Sequence, residues 1–289
     1  MDTESALDQA AEAIVAADAI LIGAGAGMGV DSGLPDFRGP EGFWRAYPPY
    51  QRLGLHFSAV ANPRWFVEDP ELAWGFYGHR MRLYRRTLPH EGFGILRRWA
   101  DRRVHGGFVY TSNVDGHFQL DGFADDRVVE VHGTIRAMQC LNGCGVGAFP
   151  SESYEVTIDE TTMRAVRPLP KCPRCGSLAR PNILMFGDWA WDSSQSDEQH
   201  RRLIDWLRAV SQARTAIVEL GAGLAVPTIR IMSEDFAERP GATLIRINPR
   251  EPEVPEGHVG LPMPALAALR AIDERLARID DQGGREGRP

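Results

Sequence analysis

The run Ala19-Ile-Leu-Ile22, which passes directly into Gly23-Ala-Gly-Ala-Gly-Met-Gly29, constrains this chain more than any other feature. A short apolar run without polar alternation reads as a strand buried on both faces, and the glycines at its end read as a turn. Upstream, Leu7, Ala10, Ala11, Ile14 and Val15 recur at helical spacing. Further apolar runs bounded by turn residues stand at 107–111, 128–131, 183–186, 215–220 and 243–247, which makes six candidate strands with the first. Helical patterns at about 91–101, 200–212 and 264–278 alternate with several of them. Continuous apolar strands separated by helices predict an α/β fold, a doubly wound parallel sheet covered on both faces.

Two stretches break the alternation. Pro40 to Leu88 is rich in aromatics and proline, and Met138 to Arg180 holds all four cysteines. Both read as insertions that together build a smaller second domain, consistent with 289 residues at about 150 per domain. Residues 280–289 have almost no apolar content and are predicted to be a disordered tail. With 32 Lys and Arg against 39 Asp and Glu, a net charge of -7, the chain is a poor polyanion binder, so nucleic acid is not expected as its main partner. No apolar run approaches the ~18 residues of a membrane span, and Met1 to Gln9 lacks a signal peptide's basic start, so a cytoplasmic location is expected.

Glycines at the carboxyl end of a strand let backbone N–H groups approach a pyrophosphate, although a tight strand-to-helix turn with no ligand accounts for them as well. The G-x-G-x-x-G pattern of dehydrogenases fails in every register, because Met28, Val30 or Ser32 stands where the third glycine belongs. Cys140-x3-Cys144, followed after 27 residues by Cys172-x2-Cys175, offers four thiolates for tetrahedral zinc, and with no position left for water the metal's role is structural. Thr111-Ser-Asn-Val-Asp115 and Val129-Glu-Val-His132-Gly133 end two strands, where polar residues face the ligand crevice of such sheets. His132 alone among the eight histidines combines a strand terminus with a following glycine. That place suits a general base, with a structural histidine as the alternative.

These pieces resemble the sirtuin family of NAD-dependent protein-lysine deacylases. The matching segments are Gly25-Ala-Gly27, Ser32-Gly-Leu-Pro-Asp-Phe-Arg-Gly39, Thr111 to Gly116, Val131-His-Gly133, both cysteine pairs, Arg180-Pro181 with Phe186-Gly-Asp188, Gly221-Ala-Gly-Leu224 and Ile247-Asn248, in family order from about residue 20 to 250. The resemblance implies a discontinuous Rossmann-type NAD-binding domain (1–40, 89–137 and 180–279), a helical and cofactor-loop insertion (41–88) and a zinc-binding module (138–179). It implies Gly25, Ala26 and Gly27 along the NAD phosphates, and Asp36, Phe37 and Arg38 in a cofactor loop. Ser112, Asn113 and Asp115 would line the ribose and nicotinamide pocket, with Gly221 and Asn248 on the adenosine side. Phe186, Gly187 and Asp188 would pair with the substrate peptide as an added strand. The activity it implies is transfer of the acyl group to ADP-ribose with release of nicotinamide, His132 acting as general base. A mono-ADP-ribosyltransferase or NAD hydrolase on the same scaffold, or a non-catalytic NAD-sensing module, are the alternatives.

Several positions depart from the family pattern: Ala24, Gly29, Ser112, Ala222 and Gly223 stand where the family usually has larger polar residues. Each exchange removes or shortens a polar contact, and one lost hydrogen bond costs about 0.5–1.5 kcal/mol. The exchanges bear on cofactor binding or on the reaction, but they leave His132, Asn113 and Asp115 untouched, so catalysis is still the expectation. Tyr77 and Arg80, three residues apart in a helical pattern, resemble the Tyr-x-x-Arg pair by which some sirtuins hold the carboxylate of succinyl- or malonyl-lysine, and the alignable Ala61 would leave the acyl pocket wide. The alternative is an Arg80 on a solvated helix face beside Arg82, Arg85 and Arg86, with acetyl as the substrate group.

Overall fold

A computed structural model describes residues 2–35 and 39–286. In chain order the strands are β1 (Ala19–Ala24), β2 (Gly107–Thr111), β3 (Val128–Glu130), β4 (Gly133–Cys140), β5 (Phe149–Pro150), β6 (Ile158–Asp159), β7 (Arg164–Ala165), β8 (Ala179–Ile183), β9 (Thr215–Leu220), β10 (Ala242–Ile247) and β11 (Val259–Leu261). Six of them form one sheet in the order β11-β10-β9-β1-β2-β3, and every pairing in it is parallel. The continuous apolar strands follow from this layering. Ile20 and Ile22 of β1 point into the core shared with helices Thr3–Ala16, Glu91–Asp101 and Ala265–Glu286. Leu21, between them, points into the opposite core with Leu203, Trp206 and Met232 of helices Ser194–Ala209 and Thr228–Ala237. With both faces covered, neither parity of the strand can be polar.

The two insertions pack on each other. Tyr47, Tyr50, Trp74 and Phe76 from the first share a buried cluster with Met138, Ile158, Met163 and Ala179. The helix Pro70–Arg86 crosses it, started by Asp69, whose carboxylate accepts from the Leu72 N–H at 3.2 Å. Trp74 anchors it by donating its indole N–H to the Ala179 carbonyl at 3.0 Å. A three-stranded antiparallel sheet, β5-β4-β8, carries the cysteine module.

Two sequence expectations are corrected. The apolar run 183–186 does not supply a strand of the large sheet: the strand there is β8, which ends at Ile183 and pairs with β4. Its earlier residues include buried Arg180 and Asn182, and these polar side chains hide it from a hydropathy pattern. The sixth parallel strand is β11, three residues long with Gly260 at its centre, too short to form a run. The segment from 280 does not begin as a disordered tail, because the last helix continues to Glu286. Ala268, Leu269, Ile272 and Leu276 dock that helix on the core, and extending a nucleated helix costs little.

Candidate active site

The strand order reverses at β1, from which the chain proceeds to β2 on one side while β9 lies on the other. In parallel sheets the crevice at such a switch point is where ligands bind. The two loops that leave it touch backbone to backbone: the Gly25 N–H donates to the Leu220 carbonyl at 2.9 Å and the Gly27 N–H to the Gly221 carbonyl at 3.0 Å. A Cβ on Gly27 would lie 2.6 Å from the Gly221 Cα, and Gly221 adopts a left-handed φ of 57°. Close loop packing therefore already requires both glycines. Ala26, between Gly25 and Gly27, is exposed at the mouth. Asn248 is fully buried and acts as a brace: its amide nitrogen donates to the Ala222 carbonyl at 2.8 Å, and its oxygen accepts from the N–H groups of Arg250 (3.0 Å) and Glu251 (3.2 Å).

The loop after β2 is laced onto the loop after β1. The Thr111 hydroxyl donates to the Ala24 carbonyl at 2.9 Å and accepts from the Asn113 N–H at 3.1 Å. The Ser112 N–H donates to Ala24 at 3.1 Å, and the Asn113 side-chain amide donates to the Gly25 carbonyl at 3.0 Å. Asp115 accepts from the His117 N–H at 2.9 Å, holding the turn that starts the next helix. Asn113, Asp115, Gly25 and Gly27 are thus gathered at one edge of the sheet. The segment with Asp36, Phe37 and Arg38 lies outside the described residues.

His132 sits in the turn between β3 and β4, and its carbonyl accepts from the Leu184 N–H at 2.9 Å. Burial holds its imidazole below the ordinary range, while a hydrogen bond to the Ser112 backbone pulls the other way. Its imidazole is therefore neutral at neutral pH. Two buried groups were not singled out from sequence. Glu130, only 3% exposed, is pushed up to about 7 by burial, against hydrogen bonds from Thr134 and Gln199. One of its oxygens has no hydrogen-bond partner among the described residues. An acid inside the apolar run Val128-Val-Glu-Val131 was the available signal. His117 is fully buried with neither ring nitrogen bonded among the described residues, and nothing in the sequence marks it.

All four cysteine sulfurs lie within 4.8 Å of one another, with Cys140–Cys175 and Cys144–Cys172 each at 3.6 Å. Zinc–sulfur bonds of about 2.3 Å in a tetrahedron put the sulfurs roughly 3.8 Å apart, so the donor set fits a closed zinc site. Two short loops bring the pairs together, and Cys172 and Gly176 are tied by a turn at 3.0 Å.

Arg80 is 7% exposed, which places it off the solvated face. Its neighbours on the helix are the outward ones: Arg82 pairs with Glu160 at 2.8 Å, and Arg85 donates to the carbonyls of Ser151 and Tyr154. The Arg80 guanidinium lies 6.0 Å from the Tyr77 ring centroid and 5.8 Å from that of Phe57, so Tyr77 and Arg80 pack side by side. Phe57 also meets the Phe186 ring at 6.0 Å, and the Ala61 carbonyl accepts from the Phe186 N–H at 3.0 Å. A chain of contacts thus runs from Tyr77 and Arg80 through Phe57 to Phe186 and Ala61. Gly187 is exposed with a left-handed φ of 70°. Asp188 differs from its neighbours: its carboxylate faces inward and grips Arg180 through two bonds of 2.7 and 3.0 Å, the side chains being 0% and 1% exposed. It shapes the segment that was expected to meet substrate without presenting its own charge there.

Residues 25–225 match the model of the Sir2 family. A curated NAD-dependent protein deacylase of Aquifex aeolicus is 31% identical over 227 residues, 78% of this chain and 82% of that protein. NAD-dependent protein deacylase 1 of Archaeoglobus fulgidus is 30% identical over 230 residues, 78% and 80% of the two chains. Among solved structures, a Sir2 homologue in complex with NAD superposes with a TM-score of 0.67 at 26% identity, covering 96% of this chain and 95% of that one.

Proposed function

This chain belongs to the Sir2 family and is an NAD-dependent protein deacylase; from that premise we propose that it removes succinyl or malonyl groups from protein lysines at least as efficiently as acetyl. The observation that carries the acyl reading is the buried position of Arg80 beside Tyr77 and Phe57, the latter in contact with Phe186. A guanidinium fork matches a carboxylate bidentately, and away from water that charge-assisted bond is stronger than a neutral one.

The rest of the reading assigns work to this chain's own groups. When bound, NAD supplies a ribosyl carbon whose bond to a cationic nicotinamide is primed to break. The loops of Gly25–Gly27 and Gly221, without side chains at their glycines, leave room for a pyrophosphate to lie against their backbone at the switch point, with Asn248 holding their shape. Asn113 and Asp115 orient the ribose, and the exposed backbone around Gly187 accepts the substrate peptide as an added strand. His132, neutral because it is buried, would serve as the proton acceptor toward a ribose hydroxyl of bound NAD. Zinc at Cys140, Cys144, Cys172 and Cys175 has only the role of holding the module together.

The test follows nicotinamide and peptide mass together, with matched succinyl-, malonyl- and acetyl-lysine peptides, for the wild type and Arg80→Met. Loss of desuccinylation with retained deacetylation in the variant supports the reading. An unchanged ratio of the two activities defeats it, and nicotinamide release without change in peptide mass points instead to an NAD hydrolase.

A further inference from the structure

Four residues beyond Arg80 on the same helix, Tyr84 is itself buried, and its hydroxyl accepts from Arg80 Nε at 3.0 Å and from Arg80 Nη2 at 2.6 Å. Both donors on one side of the guanidinium fork are thereby fixed. Arginine is a long side chain with many rotamers, and a carboxylate is read bidentately only when the plane of the fork is held to within roughly 10–20°. The Tyr84 ring adds to the clamp, its centroid lying 5.2 Å from the guanidinium carbon, with Phe76 at 5.4 Å.

The kind of partner matters as much as its position. Arg180, the other deeply buried arginine nearby, is held by the Asp188 carboxylate, which neutralises it as it orients it. Tyr84 orients Arg80 through a neutral oxygen. Burial pushes the Tyr84 phenol up from its ordinary range despite the opposing pull of Arg80, so the hydroxyl keeps its proton and takes nothing from the arginine's charge. Spacing of four residues along a helix is what brings the two side chains over one another.

We propose that Tyr84 is a positioning residue for acyl-group specificity: it presets the Arg80 fork, without discharging it, for the terminal carboxylate of a dicarboxylic acyl-lysine. The proposal rests on the reading of Arg80 given under the proposed function. Removing the hydroxyl strands two buried donors of a charged group, and Arg80 turns to find other acceptors. Acetyl-lysine makes no demand on the fork, so its turnover is indifferent to the change.

The experiment measures kcat and KM for matched succinyl- and acetyl-lysine peptides with saturating NAD in the wild type, Tyr84→Phe, Tyr84→Gln and Arg80→Met, with circular dichroism as the check on folding. Tyr84→Phe is expected to lower kcat/KM for the succinyl peptide about tenfold or more, mainly through KM, and to leave the acetyl peptide unchanged. Tyr84→Gln, which returns an acceptor oxygen, is expected to recover part of the loss; Tyr84→Met replaces Tyr84→Phe if the latter does not fold. Parallel loss of both activities in a folded Tyr84→Phe overturns the proposal, because it marks Tyr84 as a general packing residue. A succinyl-to-acetyl ratio unchanged in Tyr84→Phe but abolished in Arg80→Met overturns it too, leaving the acyl reading intact. If Arg80→Met itself keeps the ratio, the acyl reading fails and Tyr84 falls with it.

Discussion

Replacing Asp188 with asparagine tests whether a buried ion pair holds the peptide-binding segment. The change keeps the side chain's shape and removes one charge. In the native protein Arg180 and Asp188 share bonds of 2.7 and 3.0 Å with side chains 1% and 0% exposed, so solvent screening is minimal. The same carboxylate accepts from the backbone N–H groups of Met185 at 3.3 Å and Ala190 at 3.2 Å, tying both ends of the segment around Gly187. An asparagine side chain in its place would leave the guanidinium uncompensated in the interior and turn an amide NH2 toward donors. Removing one partner of a buried pair costs about 3–5 kcal/mol, whereas replacing both by apolar groups is often nearly neutral. Urea unfolding followed by tryptophan fluorescence is therefore expected to show a loss of about 3–5 kcal/mol for Asp188→Asn and a clearly smaller one for the Arg180→Met/Asp188→Leu double variant. Peptide KM should rise in Asp188→Asn. A folded single variant that loses less than about 1 kcal/mol, or a double variant as unstable as the single one, would refute the argument that the uncompensated charge is what costs stability.

Metal analysis is expected to find one zinc per chain, and Cys175→Ser to bind it more weakly and unfold at lower temperature, since metal binding and folding of such a module are coupled; no zinc in the wild type, or undiminished zinc in the variant, contradicts the assignment. His132→Ala is expected to fold and bind NAD yet lose deacylation by about 10²- to 10⁴-fold. Because burial lowers the His132 value and the neutral ring is the active form, the acid limb of kcat/KM in the wild type should fall below the ordinary imidazole value of about 6.5. A limb at or above that value, or near wild-type turnover in the variant, removes His132 from the base role.

Much of this architecture was legible in the residues because it rests on local patterns. Ala19 to Ile22 is apolar at every position because both faces of the sheet are covered, and its glycine-rich end marks the switch-point loop. Two cysteine pairs in a chain with no others specify their own partners. His132 and Asn113 follow strand termini, so strand order alone brings them to one edge. Tertiary structure decided what depends on pairing across distance. Nothing in the sequence pairs Arg180 with Asp188, which reads there as a substrate contact, and only the fold buries the two together; β8 was hidden because its Arg180 is satisfied at a distance. Gly27 and Gly221, almost two hundred residues apart, explain each other only when their backbones meet. Arg80 stood among arginines that the one-dimensional pattern could not tell apart. Helix geometry turned Arg82 and Arg85 toward polar partners of the cysteine module and Arg80 inward onto Tyr84, because burial of a charge is settled by what packs around it.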